Sequence, residues 1–251
     1  MVLRTLDISN VDVVILTKNS EHVLERCLRS IYSNVPVNWL IVVDGFSTDR
    51  TLEIVDSFGK EYGNVKVLLE GGTRAEARER GIREVETDWF MFVDSDVILC
   101  KDWFNRARKY IRSNVGAIWG VNFDLIPKAK SVFLLKLLSW VALKCFKVRG
   151  GTHDILIRTD LVKDLKIPSR FHVFEDSYIV DWIKRKGYEV IVGEDLYCLH
   201  FKPFEDWNLK NNIDLASLEL KFGFNDLRKL RYFFYYPFFV LFWLIHKMQN
   251  R

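Results

Sequence analysis

The sequence predicts an α/β fold built on a doubly wound, mostly parallel sheet that is flanked by helices. Between residues 11 and 93, short apolar runs rich in β-branched residues alternate with amphipathic runs of helical spacing. This alternation is typical of parallel strands joined by right-handed helical crossovers. Residues 89–93 are five apolar residues in a row, which indicates a strand that is buried on both faces.

The remaining elements follow from the same periodicities and from turn residues between them. Predicted strands occupy residues 11–16, 39–43, 65–69, 89–93, 116–121, 154–158 and 189–192, with a further segment at 197–201. Predicted helices occupy residues 23–31, 51–58, 74–85, 103–113 and 174–186. Gly71 and Gly72 form the loop before the third helix, and Gly187 ends the last one.

Composition limits the class of protein. The chain has 251 residues, 49% of them hydrophobic, and a formal net charge of only +4, so we expect no nucleic-acid partner. The four cysteines are widely spaced and form no Cys-x-x-Cys pair. We therefore expect neither a zinc cluster nor a disulfide framework, and a reducing compartment. Residues 1–10 contain no apolar run that would suggest a signal sequence.

Two segments suggest contact with a membrane surface. Residues 131–147 form an amphipathic helical pattern with Lys136, Lys144 and Lys147 on one side. Residues 232–245 are apolar and mostly aromatic, include Pro237, and are flanked by basic residues. As a helix this second segment would span about 21 Å, against roughly 30 Å of hydrocarbon, so we expect it to lie at the headgroup boundary. Packing on the sheet or a dimer interface is the alternative.

Polar residues follow the predicted strands at one edge of the sheet, where ligands of such folds bind. Asp94 and Asp96 offer two carboxylates one residue apart, which suits Mg²⁺ or Mn²⁺ carrying the phosphates of a substrate. Asp44 could accept hydrogen bonds from a nucleobase, and Arg74 could hold a base or a diphosphate. Thr17 and Asn19 could bind base or ribose. Each of these residue types is also common in turns and helix caps.

Taken together and in this order, the motifs resemble those of inverting family 2 glycosyltransferases. They are Thr17-x-Asn19, Asp44-Gly-x-Ser47-Thr48-Asp49-x-Thr51, Ala77-Arg78 before Gly81, Asp94-Ser95-Asp96 and Glu175-Asp176. The resemblance covers roughly residues 11–200. The family often has Asn after the Ala-Arg pair, where this chain has Glu79. The resemblance implies a GT-A fold, a UDP- or GDP-sugar donor, and Mn²⁺ or Mg²⁺ as cofactor.

The resemblance also implies a role for each matching residue. Asp96 would ligate the metal, Asp94 would contact the metal or the donor sugar, and His200 matches a late metal-binding histidine. Asp176 would be the base that takes the proton of the acceptor hydroxyl, with Glu175 as a supporting contact. The residues expected to bind substrate are Thr17, Asn19, Asp44, Arg74, Ser95 and Gly151.

The family resemblance, together with the two segments that suggest membrane contact, gives the expected organisation and acceptor. Residues 1–226 would form the GT-A domain, with a nucleotide-binding half at about 11–97 and an acceptor half at about 98–201, and residues 227–251 the membrane-interface segment. No Gln-x-x-Arg-Trp motif of polysaccharide polymerases is present, which favours single-sugar transfer, as in polyprenyl-phosphate sugar synthases. We expect a cytoplasmic protein, peripheral on the inner face of the membrane, with a polyprenyl phosphate or lipid-linked saccharide as acceptor.

Two other hypotheses remain at this point. A non-catalytic sugar-binding or membrane-docking module could keep the same fold, although the retained Asp94, Asp96 and Asp176 argue against it. A sugar nucleotidyltransferase is the second, because Gly71-Gly72-Thr73-Arg74 is similar to the Gly-rich loop of that class. That loop normally follows the first strand, whereas here it precedes the fourth.

Overall fold

One eight-stranded sheet runs through the part of the chain that a computed structural model describes, residues 8–124, 152–168 and 175–201. Its strands are β1 (Val11–Thr17), β2 (Val37–Asp44), β3 (Val65–Leu69), β4 (Trp89–Asp94), β5 (Val97–Leu99), β6 (Val115–Asp124), β7 (Asp154–Arg158) and β8 (Glu189–His200). The helices are α1 (Leu24–Asn34), α2 (Thr51–Tyr62), α3 (Arg74–Glu84), α4 (Trp103–Ala107) and α5 (Glu175–Arg185). Short 3₁₀ turns cover Arg108–Tyr110 and Thr159–Leu161.

The strand order β3-β2-β1-β4-β7-β6-β8-β5 confirms the predicted α/β class with a mostly parallel sheet. Strands β3, β2, β1 and β4 are mutually parallel, and β6 and β8 are also parallel. Strand β7 runs antiparallel between β4 and β6, and β5 pairs antiparallel with the end of β8. The sheet is therefore doubly wound in its first half and mixed in its second.

Each face of the sheet carries its own apolar core. Alternate residues of β1 point to opposite faces, so that Val13 and Ile15 pack with α1, α2 and α4. Val14 packs on the other face with α3 and α5. The central run at 89–93 is buried at every position, as predicted from its unbroken apolar sequence.

Helix α3 shows how local sequence positions an element against the sheet. Thr73 caps it through a reciprocal capping box, in which Thr73 Oγ1 accepts from the Glu76 amide and Glu76 Oε2 accepts from the Thr73 amide. At Gly81 a Cβ would collide with the side chain of Val14, so glycine lets the helix approach β1 closely. The helix thereby starts at the predicted ligand-binding edge.

Two predicted boundaries were wrong. The helix expected over 103–113 ends at Ala107 and tightens into a 3₁₀ turn, because a turn from Arg112 to Val115 must follow before β6 begins. The segments at 189–192 and 197–201 form one strand, whose register against β6 shifts between Trp119 and Val121. That irregularity accommodates the intervening residues Gly193 to Leu196 without ending the strand.

Several predictions fall outside the described residues. Contacts divide the chain into the compact units Met1–Lys202 and Pro203–Arg251, and the described residues all belong to the first. The basic segment at 131–147, the aromatic segment at 232–245 and Gly151 lie outside the described ranges. Within those ranges, none of the helices combines the length and apolar character needed to cross a bilayer.

The buried carboxyl group of Asp154 makes the stability of the protein depend on pH. This carboxyl group is buried at the start of β7 and accepts a hydrogen bond from Trp103 Nε1 at 2.8 Å. Burial raises its pKa to about 7. An unfolded aspartate has a pKa of about 3.9, so the folded chain keeps a proton that the unfolded chain loses between these values. The free energy of unfolding should therefore fall as pH rises through this window and level off above it.

We predict that Asp154→Asn flattens this pH dependence. Urea unfolding at pH 5, 6 and 8 should show a smaller decrease for the variant than for the wild-type chain. Asp160→Asn, at an exposed aspartate in the turn after β7, serves as the control and should leave the decrease unchanged. Parallel pH curves for the wild-type and Asp154→Asn chains would contradict the assignment.

Candidate active site

The strand register brings the predicted polar residues into one row. Thr17 pairs with Asp44 across β1 and β2, and Leu16 pairs with Asp94 across β1 and β4. Asp44 in turn pairs with Leu69 at the end of β3. The carboxyl ends of four parallel strands therefore meet at one edge of the sheet, where the sequence predicted a ligand site.

Asp44 organises the loop that follows β2. Its carboxylate is fully buried and accepts hydrogen bonds from Thr17 Oγ1 at 2.6 Å, from the Ser47 amide at 2.7 Å and from Ser47 Oγ at 2.7 Å. Thr17 is buried as well. The structure thus brings both residues to the expected edge, where their side chains hydrogen-bond each other and the loop after β2. Their contact with a nucleobase stays a prediction.

Asn19 joins the loops after β1 and β2. Its Oδ1 accepts from the Thr48 amide, and its own amide donates to Ser47 Oγ, both at 2.9 Å. Asp49 adds a second bridge by accepting from the Glu21 amide at 3.1 Å. These hydrogen bonds fix the relative position of the two loops, which agrees with the turn role that the sequence analysis left as the alternative for Asn19.

Arg78 belongs to the Ala77-Arg78 motif, but the sequence analysis assigned it no role in the site. It lies on the buried face of α3 and is only 3% exposed. Its Nη2 donates to Asp94 Oδ1 at 3.0 Å and to Thr152 Oγ1, and its Nε donates to Glu175 Oε1 at 3.4 Å. One guanidinium therefore connects the end of β4, the residues before β7 and the start of α5.

Two polar atoms of this network remain unpaired within the described part of the chain. They are Arg78 Nη1 and Glu175 Oε2, and both are buried. An unsatisfied buried polar atom costs about 1–3 kcal/mol, so each of these atoms has the capacity to bind a water molecule, an ion or a ligand group. Arg78 brings this capacity to the end of β4, where its guanidinium contacts Asp94.

The electrostatics of the two key carboxylates differ. Burial alone would raise the pKa of Asp94, but the charge of Arg78, with His153 and His200, outweighs it and holds that pKa below the ordinary value. Burial, followed by the charge of Glu175, raises the pKa of Asp176 instead. One carboxylate is therefore stabilised as an anion, while the other is made a stronger base.

The pairing of β5 with β8 brings His200 to Asp96. Val97 pairs with His200 in this antiparallel ladder, and His200 Nε2 lies 2.9 Å from Asp96 Oδ2. Between the two aspartates, Ser95 Oγ hydrogen-bonds Ser20 Oγ at 3.1 Å. The structure thus brings together Asp96 and His200, which are 104 residues apart in sequence.

This donor set fits a divalent metal that a substrate helps to ligate. The described residues contain no cluster of three or more His, Cys, Asp and Glu side chains that could hold an ion. Mg²⁺ and Mn²⁺ commonly use one or two protein ligands and complete their shell with phosphate oxygens and water. Asp96 and His200 can supply those two ligands, whereas Asp94 Oδ1 is already paired with Arg78.

His153 is a second residue that sequence reasoning missed. Its ring meets the ring of His200 edge to face, with 5.3 Å between centroids, and its carbonyl accepts from the Asp94 amide at 3.3 Å. Its buried Nδ1 has no hydrogen-bond partner among the described residues. Nothing in the local sequence pattern distinguishes it, whereas Arg78 could have been found as a charged residue on the apolar face of a helix.

Arg74 and Glu79, both on α3, have different surroundings. Arg74 is exposed at the first position of the helix, beside the predicted diphosphate region. Glu79, which replaces the asparagine frequent in the family, accepts from the Ile167 amide at 2.6 Å and pairs with Arg83 and Lys166. Glu79 therefore anchors the segment after β7 and takes no part in the Asp94 network.

We predict that Arg78→Met destabilises the fold by about 3–5 kcal/mol, because it leaves the buried Glu175 carboxylate and the half-buried Asp94 carboxylate without their partner. Adding Glu175→Gln to that variant should recover part of the loss, since one uncompensated charge is removed. Denaturant unfolding measures both changes. Arg83→Met, at an exposed arginine of the same helix, is the matched control and should cost less than about 1 kcal/mol. Equal effects of Arg78→Met and Arg83→Met would contradict the central role of Arg78.

Comparison with known proteins gives the site its context. A poly(ribitol-phosphate) β-glucosyltransferase of Bacillus spizizenii is 26% identical over 204 residues, which are 75% of this chain and 32% of that protein. Glycosyltransferase AglE of Haloferax volcanii is 24% identical and is matched over 88% of this chain and 76% of its own length. The chain thus spans about a third of the Bacillus enzyme.

Solved structures share the fold. The mannosyltransferase PcManGT from Pyrobaculum calidifontis, in complex with GDP-Man and Mn²⁺, superposes with a TM-score of 0.68 at 19% identity, over 88% of this chain and 66% of its own. Glucosyl-3-phosphoglycerate synthase from Mycobacterium tuberculosis, with Mn²⁺, UDP and phosphoglyceric acid, gives 0.56 at 19% identity, over 87% and 80%. These likenesses confirm the GT-A fold.

The family assignment rests on the sequence itself. The family model described as glycosyl transferase family 2 matches residues 12–144, which is more than half of the chain and includes the Asp44 loop, Arg78 and both aspartates of the Asp94-Ser95-Asp96 motif. This match confirms the resemblance drawn from those motifs. The chain belongs to glycosyl transferase family 2.

Proposed function

We propose that this protein transfers a single sugar, with inversion, from a nucleotide-sugar donor to an acceptor hydroxyl or phosphate, with Mn²⁺ or Mg²⁺ as cofactor. One observation carries the proposal. Arg78 pairs with Asp94 at the end of β4 and with Glu175 at the start of α5, and so joins the acidic motif to the motif that holds Asp176. The Asp94-Ser95-Asp96 motif, proposed for the donor, and the Glu175-Asp176 motif, proposed for the acceptor, are thereby linked through one guanidinium.

Asp96 and His200 support the donor side of the reaction. Their side chains already lie within 2.9 Å of each other, so both can reach one ion. The bound metal would stabilise the negative charge of the departing diphosphate. Exposed Arg74, at the start of α3, is positioned to add a positive charge and helix N–H groups on the same side. The Arg78 guanidinium keeps Asp94 ionised beside them.

Asp176 supports the acceptor side. An inverting transfer forms a bond from the acceptor oxygen to the anomeric carbon while the bond to the diphosphate breaks, and the acceptor proton must go to a base. Burial and the neighbouring Glu175 raise the pKa of Asp176, which makes its carboxylate a better proton acceptor than an ordinary aspartate. Glu175 is buried and tied to Arg78, so it positions the start of α5.

We predict that Asp96→Ala and Asp176→Asn both abolish transfer but separate in binding. Calorimetric titration with UDP- and GDP-sugars in Mn²⁺ should show weakened donor binding for Asp96→Ala, because a metal ligand is lost. Asp176→Asn should bind donor like the wild type, because Asp176 acts on the acceptor. Chelator should remove activity, and Mn²⁺ or Mg²⁺ should restore it.

The control is Asp160→Asn, a change at an exposed turn aspartate away from the motifs, which should leave transfer unchanged. Transfer by Asp176→Asn at the wild-type rate would overturn the base assignment, and full activity in chelator would overturn the metal. A wild-type chain that binds donor but neither transfers nor hydrolyses it would instead be a non-catalytic binding module.

For the acceptor we propose a polyprenyl phosphate or lipid-linked saccharide at a cytoplasmic membrane face. The support comes from the sequence, in the Lys-bearing pattern at 131–147 and the aromatic, basic-flanked run at 232–245. Both segments lie outside the described residues, so the proposal rests on composition and spacing.

We predict that the full chain co-sediments with anionic liposomes and that a chain ending before Leu230 does so more weakly. Neutral liposomes are the control, because they lack the charge that basic residues recognise. Binding that truncation leaves unchanged would move the contact to residues 131–147. Absence of binding by both chains would contradict a membrane-presented acceptor.

A further inference from the structure

Phe46 has a backbone conformation that its side chain disfavours. It is the second residue of the loop after β2 and has a φ of 59°, in the left-handed region. The other non-glycine residues with positive φ in the described ranges are Asn19 and Asp102, whose short polar side chains tolerate this region. A bulky aromatic residue does not, so the loop keeps Phe46 at a cost in stability.

Burial of the ring does not offset that cost. Phe46 is 58% exposed, more than any other large hydrophobic side chain in the described part of the protein. The described surface therefore holds a strained residue whose ring faces water. Strain of this kind is found preferentially at ligand-binding positions.

Gly71 gives the ring a defined position. A Cβ added at Gly71 would lie 2.9 Å from Phe46 Cε2 and 3.3 Å from Cδ2, closer than side-chain packing allows. One edge of the ring therefore rests against the loop after β3, where the glycine makes room for it. The exposed part of the ring forms a fixed apolar surface at the ends of β2 and β3.

The place of this surface along the sheet edge suggests what it contacts. Strand β1 separates β2 from β4, and neighbouring strands lie about 4.8 Å apart, so the loop with Phe46 begins about 10 Å from the Asp94 motif. A donor with its diphosphate at Asp96 and its ribose across β1 would bring its nucleobase to the end of β2. There, Asp44 and Thr17 are buried and bonded to each other, whereas the Phe46 ring is exposed.

We propose that Phe46 is a stacking platform for the nucleobase of the donor. This inference rests on the proposed function and adds a binding residue to it. Stacking on an aromatic ring recognises the face of a base, which all nucleobases have, and so contributes affinity more than base selection. Selection between bases would then fall to polar groups of the neighbouring loops.

The proposal makes Phe46→Gly a variant with two opposite effects. Glycine adopts a positive φ freely, so thermal unfolding should occur at a higher temperature than in the wild type. Loss of the ring should weaken binding of UMP or GMP, measured calorimetrically in chelator, by roughly 5- to 100-fold. Binding of pyrophosphate with Mn²⁺ should not change, because it occupies the other end of the site.

Two further variants complete the experiment. Phe46→Trp should bind the nucleoside monophosphate at least as tightly as the wild type, because it offers a larger ring. Leu69→Ser, at an exposed apolar residue of the neighbouring edge strand, is the control and should leave both ligands bound as before.

Three results would overturn the proposal. Nucleoside monophosphate binding that Phe46→Gly leaves unchanged would show that the ring contacts no base, and would leave the proposed transferase intact. A lower unfolding temperature with loss of both ligands would make Phe46 a structural residue of the loop. A wild-type chain that binds neither nucleotide nor pyrophosphate would overturn the proposed function together with this inference.

Discussion

The buried guanidinium of Arg78 is the interaction on which the arrangement of the site depends. It touches Asp94 on the parallel half of the sheet, Thr152 ahead of the antiparallel strand β7, and Glu175 on α5. These three elements come from distant parts of the chain and would otherwise bring carboxylates together without a counter-charge. Removal of one partner of a buried ion pair is costly, so both the stability of the fold and the geometry of the site require Arg78.

The loops after β1 and β2 solve a different problem. Surface loops are normally more mobile than a binding site permits. In these two loops, side-chain oxygens accept hydrogen bonds from backbone amides that would otherwise bond to water. Asp44 and Asn19 use their oxygens to accept from amides of residues 47 and 48, and Asp49 does the same for Glu21. The polar motif residues of these loops therefore bond mainly to backbone amides. The Phe46 ring remains exposed beside them.

The sequence predicted the parallel half of the fold well because its signals are local. Unbroken apolar runs at 89–93 and regular alternation up to α3 identify buried strands and crossover helices without any knowledge of distant contacts. The second half depends on long-range pairing, and the antiparallel insertion of β7 left no local mark. The same distinction applies to the site. Motif aspartates could be recognised by spacing, whereas the link from Arg78 to Glu175 spans 97 residues and exists only in the folded chain.

The reversed direction of β7 determines how the second half of the sheet reaches the site. The first four parallel strands end at the site with short loops, each tied to its neighbours by hydrogen bonds. By contrast, the chain returns to the site at Thr152 and His153 from the long connection that follows β6, and enters β7 at its first residue. The described end of that connection supplies Thr152, whose Oγ1 accepts from Arg78. Because β7 enters the sheet antiparallel, its first residue lies beside the last residues of β4, so the start of one strand and the ends of four others meet at the same edge.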